Sequence, residues 1–345
     1  SSSSKRTDME LIPAVSVVIP LYNKGPYIAR AIQSVLSQTI QDFEIIIVDG
    51  QSTDNGPRIV KSFQDKRIIF LNQIGKGVSS ARNEGIEHSK SDFIAFLDAD
   101  DEWMPDHLET LLRLRYAYPE AGAYTTAYLV KYPNLRTKMP NFFMIPEKPW
   151  EGLIPSYFKS AAFGASPVWT SAVGIPKSIL KEMRGFSMEA WWGEDTDLWG
   201  RIALKYPISF SWEGLVIYHT EATNRLCNRI EPVDENIFCH TARLAIETGA
   251  VSPEIRDDLS EYIAKKIIET AWHNIYANRR ELAKKNLKKC ITKKMIFKKY
   301  WTLIWANIPF KLYYLLRRLN YLNPYYWYYA QSDVKLEETL YPTYD

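Results

Sequence analysis

Two rhythms of hydrophobic and polar positions alternate over the first hundred residues. Short apolar runs at 15–20, 43–49, 68–71 and 93–97 are rich in β-branched and aromatic residues, as buried strands are. Between them, residues 27–37 place Ile28, Ala31, Ile32, Val35 and Leu36 at helical spacing, and 54–63 and 79–88 read as further helices. Strands alternating with helices of this length predict an α/β fold: an open, mostly parallel sheet sandwiched by helices. Such a sheet lines up the carboxyl ends of its strands on one rim, where open α/β proteins bind their ligands. A further strand is expected at 214–218. From about residue 236 the period is helical: Ile255, Leu259, Ile263 and Ile267 recur every fourth position, and 279–294 continues with Leu287, Ile291 and Met295. The expected organisation is a leader at 1–13 with a tag-like serine run, an α/β domain at 14–235 with halves 14–101 and 102–235, and a helical, basic and aromatic extension at 236–345.

Composition changes this picture in one place. At 345 residues and 46% apolar, the chain has ample material for a core. The net charge of +3 hides an asymmetry: residues 279–318 hold thirteen Lys or Arg against one acid, Glu281, leaving the rest of the chain at −9. Cys227, Cys239 and Cys290 show no C-x-x-C spacing and cannot all pair, which excludes a disulfide framework or zinc knuckle; reduced, inert thiols are expected. The first thirty residues lack the basic-then-apolar pattern of a signal peptide, so an intracellular catalytic part is expected.

The candidate chemistry begins where the run Phe93 to Leu97 ends in Asp98, Asp100 and Asp101. Crowded carboxylates repel, and a divalent cation is a physical reason to keep them together. Oxygen ligands suit Mg²⁺ or Mn²⁺, which leave most positions to water and substrate phosphates. The competing reading is that Asp100 and Asp101 cap a helix starting near Glu102. Two other strand ends carry polar residues: Pro20, Tyr22 and Asn23 after the first, Asp49, Ser52 and Asp54 after the second. An aromatic ring beside a carboxylate suits a nucleobase, although each residue alone also fits a turn or cap. Arg82, following Gly75-Lys76-Gly77, suits a diphosphate. The third glycine, Gly85, comes too late for a dinucleotide fingerprint, and no P-loop run occurs.

Four segments then add up. Val17-Val18-Ile19-Pro20-Leu21-Tyr22-Asn23, Ile46-Ile47-Val48-Asp49-Gly50-Gln51-Ser52-Thr53-Asp54, Gly77-Val78-Ser79-Ser80-Ala81-Arg82-Asn83-Glu84-Gly85 and Phe96-Leu97-Asp98-Ala99-Asp100-Asp101 resemble, in order and separation, the family 2 glycosyltransferases, inverting enzymes of the GT-A fold. The resemblance covers about residues 14 to 225. It implies a sugar-nucleotide donor and a divalent ion, with Tyr22 and Asp49 at the nucleobase, Asp98 at the ribose, Asp100 at the metal of the DXD motif, and Arg82 near the pyrophosphate. Gly50 departs from the second acid common at that place, which bears on base identity.

Trp191-Trp192-Gly193-Glu194-Asp195-Thr196-Asp197 resembles the acidic motif of the same family, in which the second acid, here Asp195, is the general base and Glu194 the fallback. An acidic helix start is the alternative. Trp191 and Trp192 offer flat faces to an acceptor sugar or belong to the core, and the resemblance implies His219 as a further metal ligand. In the tail, the uncharged stretch 300–310 is too short to span a bilayer. Lysines interleaved with Trp, Tyr and Leu suit a membrane interface better than a nucleic acid. The sequence therefore leads to a metal-dependent inverting glycosyltransferase with a nucleoside-diphosphate sugar, UDP-linked, as donor and a glycan or lipid-linked acceptor, working in the cytoplasm at the membrane surface. The alternatives are a GDP-mannose-type or polyprenyl-phosphate transferase, and a silent sugar-nucleotide binding module.

Overall fold

A computed structural model describes residues 12–313 apart from 134–135, 223–224, 226–228 and 310–311. Most of the leader, Cys227 and the basic residues Lys311, Arg317 and Arg318 lie outside the described residues. The elements run in the order β1 (Val15–Leu21), α1 (Gly25–Leu36), β2 (Phe43–Asp49), α2 (Gly56–Ser62), β3 (Ile68–Asn72), α3 (Gly77–His88), β4 (Phe93–Phe96), β5 (Glu102–Trp103) and α4 (His107–Ala117). Then come β6 (Ala123–Lys131), β7 (Thr137–Lys138), β8 (Glu151–Leu153), α5 (Tyr157–Phe163), β9 (Val173–Pro176), α6 (Lys177–Glu182), α7 (Glu194–Ala203) and β10 (Ile208–His219). Four helices follow: α8 (Ile237–Glu247), α9 (Pro253–Tyr276), α10 (Arg280–Lys288) and α11 (Ile296–Asn307).

Among the described residues the strands form one sheet in the order β3-β2-β1-β4-β9-β6-β10-β5, with β7 beside β6 and β8 beside β10. The pairs β1–β2, β2–β3, β1–β4 and β6–β10 are parallel, whereas β9 runs antiparallel to both β4 and β6. β1 to β4, β6 and β10 therefore point the same way, and their carboxyl ends share one rim. β1, β2 and β4 are buried throughout apart from half-buried Pro20, which is why they read as continuous apolar runs rather than alternating ones. Helix α3 lies close on β1. A Cβ on Gly85 would sit 2.4 Å from Val18 Cγ1, and this approach brings Arg82, one turn earlier, over the rim.

Two expectations fail. Asp100 and Asp101 cap no helix, because Glu102–Trp103 is a short strand paired antiparallel with β10 and the next helix starts only at His107. The run 279–294 is not one helix: α10 ends at Lys288, buried Cys290 follows, and α11 begins at Ile296. Buried residues of α9, including Leu259, Ile267 and Ile275, join the same hydrophobic cluster as the strands, so the extension shares the core of the α/β domain. Cys239 and Cys290 are free and buried, and burial pushes their thiols up to about 12 and about 11, which keeps them unreactive.

Candidate active site

The rim opens into a cavity of about 950 Å³. One end lies against β1, β2 and β3 and is lined by Pro20, Tyr22, Gly50, Gln51 and Gln73, with the loop Gly75-Lys76-Gly77. Its middle holds Lys24, Arg82, Asp98 and Asp100. The far end, toward β10 and the extension, is lined by Trp169, Thr170, Trp192, Glu194, Asp195 and Lys266, among others. Eight of the residues singled out from sequence therefore line one space: Pro20, Tyr22, Arg82, Asp98, Asp100, Trp192, Glu194 and Asp195.

Four others stand back from the cavity. Asn23, at φ 49°, accepts from the backbone N–H of Thr53 at 2.7 Å and so ties the first strand end to the second. Asp49 is buried and faces the Ser52 N–H at 3.3 Å. Trp191 packs at a tilt against His273 and lies beneath the Arg229 guanidinium. His219 is 1% exposed; its Nε2 lies 3.0 Å from Glu102 and its Nδ1 3.2 Å from Glu221. Burial, then the Arg30 charge, holds its pKa below the usual imidazole value.

The centre of the site is an ionic relay. The buried Arg82 guanidinium donates to Asp98 Oδ1 and to Glu194 Oε1, both at 2.9 Å, and lies over the Phe186 ring. Burial opposes its charge, but Asp98 and Glu194 more than offset this and hold it protonated. Glu194 is buried too. Desolvation and the neighbouring Asp195 push it up to about 7, against the pull of Arg82. Asp195 is held more loosely: Thr170 Oγ1 approaches Oδ2 at 3.5 Å, and Oδ1 accepts from the Thr196 N–H at 2.6 Å. Gly193, at φ 81°, starts α7 with a backbone that L side chains resist, and a Cβ there would meet the Asn236 amide at 2.7 Å.

The acids at the end of β4 differ in role. Asp101 is buried, accepts from Ser171 Oγ at 2.6 Å, and has its carboxyl raised by burial and by Asp100 and Asp98. Asp100 faces the cavity and accepts from Lys24 Nζ at 2.6 Å. Among the described residues no three His, Cys, Asp or Glu side chains gather into a metal cage. A hard cation that takes one or two carboxylates and draws its remaining ligands from phosphates and water still fits Asp100, where a positive charge, the Lys24 ammonium, already sits.

Comparison with known proteins decides the family. The family described as Glycosyl transferase family 2 matches residues 16–183, which carry the cavity's strand ends, Arg82 and the β4 acids. In this segment, just under half of its length, the chain matches glycosyl transferase family 2. Among curated family relatives, the Escherichia coli protein named UDP-Glc:alpha-D-GlcNAc-diphosphoundecaprenol beta-1,3-glucosyltransferase WfgD is 42% identical over 96 residues, 28% of this chain and 38% of that protein. The chain spans about a third of the length of several such relatives. S. aureus TarS 1-349, solved in complex with UDP-GlcNAc, superposes with a TM-score of 0.56 at 17% identity over 79% of this chain and 88% of that one. The mannosyltransferase PcManGT from Pyrobaculum calidifontis, in complex with GDP-Man and Mn²⁺, gives a TM-score of 0.55 at 19% identity over 86% of each chain. At these identities the likeness is one of fold, and the fold is the GT-A type with a helical C-terminal part.

Several lining residues escaped the sequence reading. Trp169 stacks on Tyr128 and packs against Tyr218, but nothing in its flanking residues marks it. Lys24 follows a strand-end motif directly and was within reach. Asn236 and Lys266 come from the extension, beyond the segment that carries the family resemblance.

Proposed function

We propose that the protein is a metal-dependent inverting glycosyltransferase that moves one sugar from a nucleoside-diphosphate donor, UDP-linked, to a hydroxyl of a glycan or lipid-linked acceptor. The observation that carries this is the single cavity in which the strand-end acids meet Asp195 across the Arg82 bridge. Residues 14–235 form the catalytic domain. Tyr22, exposed at the mouth, stacks on the base, whose edge faces Gly50, Gln51 and Gln73, and Asp98 accepts from the ribose. Asp195 takes the proton of the acceptor hydroxyl while that oxygen bonds to the anomeric carbon. The bond from that carbon to the β-phosphate oxygen breaks on the opposite face, and the configuration inverts. Asp100 would hold Mn²⁺ or Mg²⁺, which would supply positive charge against the departing diphosphate. Lys24 and Lys76 place further positive charge on the same side. Glu194 is engaged by Arg82, which leaves Asp195 the freer carboxylate. The printed names of WfgD and TarS support a UDP-linked donor, and that of WfgD a lipid diphosphate acceptor.

Calorimetric titration tests the donor site. UDP is expected to bind in the presence of Mn²⁺, to bind more weakly without it, and to lose its Mn²⁺ dependence in Asp100→Ala. Tighter binding of GDP than UDP would favour a GDP-mannose-type donor, the class named for PcManGT. Binding of neither nucleotide would overturn the proposal.

The acceptor reading places the enzyme at a membrane surface. No helix among the described residues is long and apolar enough to cross a membrane. Helix α11 instead exposes Phe297, Tyr300 and Ile304 on one face, with exposed Lys293 and Lys294 just before its start. Apolar side chains reach the acyl boundary and lysines meet anionic headgroups, each worth about 1 kcal/mol near the surface. The full chain should sediment with vesicles containing phosphatidylglycerol, less at high salt. Replacing Phe297, Tyr300 and Ile304 together by serine should abolish this. Preference for an oligonucleotide over the vesicles would contradict it.

A further inference from the structure

Helix α9 lies in the C-terminal extension, yet one of its residues lines the active-site cavity. His273 stacks on Trp192 with ring centroids 5.0 Å apart and planes 21° from parallel, and its Nε2 lies 2.6 Å from the Glu231 carbonyl. Two turns earlier, Lys266 lines the cavity at the end that holds Asp195.

The paired lysines of α9 differ in what they do. Lys265 donates to the carbonyls of Ala161 at 2.6 Å and Gly164 at 2.9 Å, closing the end of α5; burial lowers its pKa to about 8. Lys266 has the same three donors, but it spends one on Glu269 at 3.0 Å and rests its charge over the Tyr262 ring at 5.3 Å. Burial opposes this charge, and Glu269 more than offsets it, so Lys266 remains an ammonium. Glu269 takes one N–H of this 9% exposed cation, and among the described residues no second acceptor is hydrogen-bonded to it, so on a cavity wall it can still meet an anion. The donor diphosphate is not that anion. The reading above puts it at the strand ends β1 to β4, beside Lys24 and Asp100, whereas Lys266 lies near enough to Asp195 to feel its charge.

We propose that Lys266 is an acceptor-binding residue and that the acceptor carries a phosphate close to the hydroxyl that reacts. This rests on the glycosyltransferase reading above and narrows its acceptor class. The helical extension thereby takes part in choosing the substrate.

The test is calorimetric titration of inorganic phosphate into the full chain saturated with UDP and Mg²⁺, which fills the donor subsite. Phosphate should bind the UDP-loaded wild type. The Lys266→Met variant should bind it at least about ten-fold more weakly, as expected for loss of one charge-assisted contact, with UDP affinity unchanged. Lys266→Arg should retain most of the binding. If Lys266→Met fails to fold because buried Glu269 keeps only the longer pair with Lys265 at 3.9 Å, Lys266→Met/Glu269→Gln removes both charges of the close pair and answers the same question. Equal phosphate affinity in the variant, phosphate that only displaces UDP, or acetate bound in preference to phosphate would each overturn the proposal. So would a loss of UDP affinity in Lys266→Met, which would place the lysine on the donor. If UDP does not bind the wild type, the glycosyltransferase reading fails. The same phosphate titration on the unliganded protein then still decides whether Lys266 holds an anion.

Discussion

Asp195→Asn should bind UDP as the wild type does and turn over about 10²- to 10⁴-fold more slowly, the usual contribution of a positioned general base. The substitution keeps the shape of the side chain and its bond from the Thr196 N–H, so helix α7 should start as before. What it removes is a carboxylate able to hold a proton at the acceptor end of the cavity. Glu194→Gln is the control, because Glu194 lies one residue away but accepts from Arg82. Turnover at saturating donor, with UDP binding measured calorimetrically on the same protein, separates the base from a binding residue. A loss of less than ten-fold in Asp195→Asn, with donor binding intact, would point to an acceptor that needs little help from a base, such as a phosphate oxygen attacking directly.

The second large effect concerns stability. Arg82→Met should destabilise the protein by about 3–5 kcal/mol, the cost typical of removing one partner from a buried ionic cluster. Arg82 serves two carboxylates from different parts of the chain, Asp98 at the end of β4 and Glu194 at the start of α7. Without it both lose their cation while Glu194 stays buried. The deficit should depend on pH. A carboxyl whose folded pKa is raised contributes stability that is present below its unfolded value, near 4.5, and lost as pH rises through the folded value, about 7 here before the substitution. Removing the arginine raises that value further. The variant should therefore be least impaired near pH 5 and most impaired above pH 8, as urea unfolding at the two pH values would show. Arg82→Met/Glu194→Gln should recover part of the loss at high pH. A variant as stable as the wild type at pH 8 would mean that water reaches the cluster and replaces the guanidinium.

The nucleotide half of the fold was legible because its strands are buried on both faces and its helices carry clear periodicity. The strands at 43–49 and 93–97 were read to within a residue, and the strand ends they imply line the cavity. The acceptor half was less legible, for physical reasons. Glu102–Trp103 is a two-residue strand held only by β10, and nothing local distinguishes it from a helix start. β9 is short and antiparallel, so its placement between β4 and β6 is a tertiary outcome. Residue type indicated Asp49 at the nucleobase and His219 at the metal, and neither lines the cavity: Asp49 turns to its own loop and His219 lies between two glutamates. Arg82 was expected near a diphosphate; it lines the cavity, and two acids engage it there, a pairing across 112 residues for Glu194 that no local pattern contains. Lys266 was hidden for the opposite reason, since a lysine beside a second lysine in a helix that begins with several charged residues looks like solvated surface.

Helix α9 ends at Tyr276, late in a chain of 345 residues, and the order of synthesis gives that position a meaning. A ribosome that has delivered β10 has released every strand and every acid of the site, but the side of the cavity formed by Lys266 and the His273 support for Trp192 have yet to emerge. The nascent chain at that stage holds the donor half of a catalyst with an open acceptor side. On the acceptor role proposed for Lys266, competence for transfer arrives only when α9 docks, and a nonsense mutation shortly after residue 235 would leave a protein that carries the family's motifs without that side of the site.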